Sequence, residues 1–204
     1  MFGSTSFTFR MTIRNPSAWP TDIVWENAQD LEHVGTLHRR TNYAFELLDV
    51  RPSRDGTALY ESLIFMVRRR LLGLIPIVTF GFRRIVGPRE IWQIEVSPLL
   101  GITTALRSTL ERNGADPSRT DLVDSMEVSM PRILRPLRGF LEAALRRHAR
   151  LQCGEDETVR ARRHELRARG INLPASILNE PLWEKAFGRG GAPATAGAPE
   201  SRSA

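Results

Sequence analysis

From Phe7 to Ile13 (FTFRMTI) large apolar and polar side chains alternate, the two-residue period of a strand with one buried face. Pro16 and Pro20 then interrupt regular structure. From Asp22 to His38 the period changes. Ile23, Ala28, Leu31, Val34 and Leu37 recur at helical spacing, with Thr21 or Asp22 as the N-cap. Strand-like segments follow at 43–50, at 57–67 after the turn signal Arg54-Asp55-Gly56, at 74–85, and at 90–97 beyond Gly87-Pro88. Residues 101–110 read as a further strand or a mixed segment. Asn113-Gly114 and Asp116-Pro117 mark a loop, and 121–129 is the last strand. Pro131 then opens a helix running to about Arg169, with Gly170 as its stop. Leu134, Leu137, Leu141, Leu145, His148, Gln152 and Val159 share one face of it.

Strand, helix, a run of strands and one long helix argue for an α+β fold, a curved antiparallel sheet wrapped around a long C-terminal helix. A sheet and helix in that relation enclose a pocket. The chain has 204 residues and 41% apolar side chains, enough for one domain with a core and a cavity. That domain is expected over residues 1–187. Residues 188–204 are rich in Gly, Ala, Pro and Ser and read as a disordered tail. The most apolar run, Leu71 to Phe82, holds twelve residues and is broken by Gly73, Pro76 and Gly81. A membrane span needs about 20 apolar residues, so buried strands are expected there and no membrane span.

Net charge is +6, almost all of it arginine, since Lys185 is the one lysine. The arginines are spread along the chain and no nucleic-acid reader motif accompanies them, so nucleic acid is not an expected partner. The runs at 68–70, 83–84 and 160–163 are expected to face solvent. Cys153 is the sole cysteine, which excludes an internal disulfide or a cysteine-ligated cluster and fits a reducing, cytoplasmic setting. No signal-peptide pattern opens the chain.

The segment from Trp25 to His38 (WENAQDLEHVGTLH) carries the candidate chemistry. It spaces Glu26, Asp30, His33 and His38 as E-x3-D-x2-H-x4-H. On one helix Asp30 and His33 lie a turn apart. His33 and His38 differ by about 140° and converge only if the helix ends or bends near Gly35. Two neutral imidazoles and a carboxylate suit a divalent first-row metal with open coordination positions. Asp30 is placed to accept the second N–H of one imidazole.

This spacing resembles the mononuclear-iron motif in the catalytic domain of Rieske-type non-haem iron oxygenases. The element order is similar to the helix-grip (START-like) superfamily that includes that domain. The resemblance implies iron ligands at His33 and His38, a bridging aspartate at Asp30, and a third ligand on the helix after Pro131. There Cys153-Gly154-Glu155-Asp156-Glu157 offers Asp156, with Glu155 as competitor. It implies Fe(II), with Zn or Mn as alternatives, and an oxygenase acting on a small hydrophobic or aromatic substrate. The family's Cys-x-His and Cys-x-x-His cluster pairs and its Asn-Trp-Lys signature are missing. A separate electron-donor protein would then be needed, or a substrate that supplies the electrons. The same scaffold also accommodates a Zn- or Mn-dependent hydrolase, cyclase or lyase, or a non-catalytic binder of hydrophobic ligands. A homo-oligomer stays open.

Away from that segment, His148 reads as a core or pocket-lining histidine and His164 as solvent-facing. Cys153 reads as a small buried residue with no local partner that would make it a nucleophile. Phe65, Phe80, Phe82, Trp92 and Met126 are expected in the core, some of them lining the cavity.

Overall fold

The computed structural model describes residues 5–30, 42–53, 58–71 and 75–171. Strand β1 (Ser6–Ser17) is followed by helix α1 (Thr21–Gln29). Then come β2 (Asn42–Pro52), β3 (Tyr60–Leu71), β4 (Ile75–Gly87), β5 (Glu90–Ser97), β6 (Ile102–Arg112) and β7 (Thr120–Pro131). A 3-10 turn at Arg132–Leu137 leads into helix α2 (Arg138–Ala168). The described strands form one antiparallel sheet in the order β1-β7-β6-β5-β4-β3-β2. Sequential hairpins build it from β2 to β7, and β1 returns to close beside β7.

The sequence periods explain the faces. In β1, Phe9, Met11 and Ile13 point inward and are buried, while Thr8, Arg10 and Thr12 between them are exposed. This strand runs past Pro16, opposite Asp121. Proline is tolerated there because, among the described strands, β1 lies at the edge of the sheet. Residues 101–110, left between strand and mixed segment by their pattern, are strand β6.

The described core falls into two clusters. One joins β2 and β3 through Leu47, Val50, Tyr60, Leu63, Phe65 and Val67. The other packs Phe9, Met11, Ile13, Val128 and Met130 against Ala149 of α2. Arginine and acid pairs tie α1 to α2: Arg163 to Asp30, and Arg167 to Asp22 and to Glu26.

Several expectations change. Helix α1 ends at Gln29; Asp30 caps it in an extended conformation (φ −72°, ψ 111°) with its N–H still bonded to Glu26 O at 3.0 Å. The rest of the expected helix, residues 31–38, lies outside the described residues. The long helix begins at Arg138 rather than at Pro131, because Pro136 lacks the N–H an α-helical ladder needs and the chain takes a 3-10 turn instead. Phe80, Phe82 and Trp92 are not core residues: they project outward at 44%, 43% and 54% exposure. Nor are the arginine runs solvent-facing throughout, since Arg160 and Arg163 are buried.

Candidate functional site

Between the two core clusters the inner face of the sheet stands off from α2 and leaves a cavity of about 250 Å³. Its placement follows from the periods. Alternate residues of β3, such as Phe65, Val67 and Arg69, point in, and α2 answers with Leu145, His148, Ala149, Gln152, Asp156 and Arg160 at helical spacing. Trp25, Asn27 and Ala28 of α1 close one side. Ile91, Leu106, Leu110, Leu122 and Met126 make much of the remaining wall apolar.

The polar groups of the wall are mostly paired. Arg69 grips Glu95 through both terminal nitrogens, at 2.7 and 2.8 Å, and Gln93 Nε2 donates to the same carboxylate. This bidentate geometry is the strong form of a charge-assisted bond. Arg83 Nη2 donates to Ala28 O at 2.6 Å, which anchors α1 to β4. Arg160 reaches Asp156 at 3.3 Å and Glu157 at 2.7 Å, one turn back along α2. Asn27 differs: its side chain is buried, yet among the described residues neither its Nδ2 nor its Oδ1 has a hydrogen-bond partner. A buried carboxamide in that state costs free energy that a bound polar group would recover.

Two wall residues have shifted ionisation. Burial pushes the Asp124 carboxyl above its ordinary value, outweighing the hydrogen bond from Ser108 Oγ (2.6 Å) and the nearby Arg83 charge, while Asp156 adds to the rise. Burial pushes the Cys153 thiol up to about 12, helped by the negative charge of Asp156 and Asp124. Cys153 is therefore a protonated thiol at neutral pH and no nucleophile. His148 lies on the cavity wall and His164 is exposed against the Trp19 ring at 5.1 Å between centroids, both as their positions in the helical repeat suggested.

His33 and His38 lie outside the described residues. Asp30 is described and buried, and its Oδ2 accepts a 2.5 Å bond from Arg163. Asp156 lines the cavity and is engaged by Arg160; Glu155 precedes it on α2. Among the described residues no three His, Cys, Asp or Glu side chains are placed to hold one metal ion. Of the expected ligands only Asp156 is described, and Arg160 lies 3.3 Å from its Oδ2; the bridging aspartate, Asp30, is held by Arg163. The residues that sequence reasoning missed are Arg69, Arg83, Asp124 and Arg160. Strand alternation could have turned one arginine of each pair or triplet inward, and the stripe His148, Gln152, Asp156 continues in phase to Arg160 and Arg163.

No protein-family model matches the sequence, and neither does any curated protein. Solved structures do share its architecture. The Zhui aromatase/cyclase from Streptomcyes sp. R1128 superposes with a TM-score of 0.61 at 18% identity, over 81% of this chain and 99% of that one. This is the helix-grip fold. The di-domain ARO/CYC BexL from the BE-7585A biosynthetic pathway matches with a TM-score of 0.57 at 15% identity, over 76% of this chain and 50% of its own length. A START superfamily protein from Mycobacterium smegmatis gives 0.51 at 12%, over 72% of this chain and 97% of that one. The helix-grip expectation stands, as does the curved sheet on a long C-terminal helix. The expectation of a metal-dependent oxygenase is overturned: structures of this architecture include aromatase/cyclases, which are not metal-dependent oxygenases. Nothing in these likenesses supports the Rieske-type catalytic domain. Among the described residues no helix is long and apolar enough to cross a membrane.

Proposed function

We propose that the cavity binds a small hydrophobic molecule carrying several carbonyl groups and promotes its ring closure, an aromatase/cyclase-type reaction. The observation that carries this reading is Asp124: a buried carboxyl of raised pKa in the cavity wall, with the Arg83 guanidinium in its field. Ring closure by aldol addition removes a proton from a methylene between two carbonyls. The resulting carbanion then attacks a distant carbonyl carbon, and the new alkoxide takes up a proton. Loss of that hydroxyl as water makes the ring aromatic. Each step needs a group that gives or takes a proton, together with positive charge beside the oxygen that becomes negative. Asp124 and His148 suit the first task, and Arg83 suits the second. The apolar wall excludes bulk water and folds a flexible chain so that its ends meet.

Volume bounds the substrate. Ligand pockets commonly span roughly 300–1,000 Å³, and this one holds about 250 Å³. One or two fused rings fit that space. The likeness to the Zhui aromatase/cyclase supports the reading, at the level of fold. A non-catalytic carrier is the second reading. It is favoured by the mutual pairing of Arg69 with Glu95 and of Arg160 with Asp156, which leaves these charges occupied.

Nonane-2,4,6,8-tetraone tests both. Carbon–carbon closure with loss of one water converts it to 2,4-dihydroxy-6-methylacetophenone. The protein should speed formation of that phenol by at least about tenfold over buffer, about 1.4 kcal/mol, and Asp124→Asn should remove the gain. Binding measured by calorimetry, without faster closure, assigns the carrier role. Loss of binding in Leu106→Trp, which fills the cavity, locates the ligand; undiminished binding in that variant would place it elsewhere and sink both readings.

A further inference from the structure

The outer face of the sheet carries a second feature unrelated to the cavity. Register places Ile64, Phe82 and Ile94 side by side across β3, β4 and β5, and Phe80 beside Val96 in the next row. Trp92, two residues from Ile94 on the same face, extends the block. All six side chains point away from the core and are 38–54% exposed. On either side the face becomes more polar, with Glu46 and Asp49 flanking the exposed Leu48 on β2 and Arg107 on β6. A solvated antiparallel sheet normally alternates apolar-in with polar-out. Here the outward positions of three central strands are apolar instead.

We propose that this outer face is the interface through which two copies of the chain associate. Area is the first reason. At about 150–250 Å² for a large side chain, the exposed fractions amount to on the order of 500 Å² of contiguous apolar surface. That lies in the upper part of the range for the largest patch on a monomer, roughly 300–600 Å². A standard interface takes roughly 800 Å² from each partner, and a homodimer interface is about 65% apolar. Each copy must then supply about 500 Å² of apolar surface, which this patch alone provides. Charge is the second reason. Two arginines at the rim are already engaged, Arg107 with Glu90 at 2.7 Å and Arg84 with Glu61 at 3.7 Å. Their charge is partly neutralised, so apolar contact supplies most of the association. Two such faces pack as the sheets of a sandwich do, with aromatic side chains interdigitated.

Sedimentation velocity of the full chain at about 50 μM decides it. The expected mass is twice the 23.0 kDa of one chain, unchanged in 1 M salt because the contact is apolar. Phe82→Glu and Ile94→Arg, both outward-facing, should each run as a single chain while keeping the wild-type circular dichroism spectrum. Should one of them misfold, Trp92→Lys serves in its place. A wild-type protein of single-chain mass, or a dimer that survives both substitutions, overturns the proposal. So does a single chain that floats with anionic phospholipid vesicles, since that would assign the patch to a membrane surface.

Discussion

At the scale of single residues, environment decides chemistry more than residue type does. Cys153 is the sole thiol, and its pKa of about 12 against an ordinary 9.0 leaves about a thousandfold less thiolate near neutral pH. Iodoacetamide should therefore alkylate native Cys153 at pH 8 about a thousand times more slowly than the urea-unfolded chain, followed by mass spectrometry. Equal rates would mean that the thiol is neither buried nor flanked by Asp124 and Asp156. The same logic separates the carboxylates. Asp30 was singled out by its spacing to two histidines, but its described partner is Arg163, 133 positions along the chain. Removing a buried partner such as Arg163 exposes the remaining charge to a cost of several kcal/mol. Pairing over that distance leaves no local trace in sequence, whereas histidine spacing does.

At the scale of elements, strands and the long helix were legible because period reports burial directly. β1 alternates as its sequence does, and α2 presents Leu145, His148 and Gln152 inward as its apolar stripe implied. What period could not show was the direction of β4. Apolar residues occupy both of its faces, so parity alone does not say whether Phe80 and Phe82 point in or out. Gly81, between them, settles it. A Cβ added there would lie 2.1 Å from Cζ of Phe65, the residue opposite it on β3. The Phe65 ring lies over the glycine, stacks on Phe45 at 5.4 Å, and borders the cavity. Gly81→Ala must displace that ring from a packed core. Overpacking of this kind costs about 1–3 kcal/mol, and because Phe65 is a wall residue the loss should extend to ligand binding. Chemical denaturation of Gly81→Ala checks the first effect and calorimetric titration with the tetraone checks the second. A stability equal to wild type would show that the ring moves freely.

At the scale of the whole molecule, pH dependence tests whether the cavity is built as the fold suggests. Two classes of carboxyl act with opposite sign. Asp121, hydrogen-bonded by Asn113 and Arg14, and Glu90, hydrogen-bonded by Arg107 and Trp92, are held below their ordinary values. Their contribution is present above the unfolded pKa and disappears as pH falls through the folded one. Asp124 runs the other way. Its folded pKa lies above the ordinary 3.8, so its contribution is complete below 3.8 and is lost as pH rises through the raised value. The groups around it fix that sign: burial and Asp156 raise it, and Ser108 and Arg83 oppose them without prevailing. Stability should therefore climb with pH on the acid side and decline beyond it. Asp124→Asn can still accept the Ser108 hydrogen bond and carries no charge. It should leave the acid limb in place and flatten the decline, so that the variant gains on wild type as pH rises above 3.8 in urea unfolding. Parallel curves would mean that water reaches Asp124 freely. A cavity open to solvent at that point would leave the carboxyl at its ordinary value, and the proton-transfer role proposed for Asp124 would fall with it.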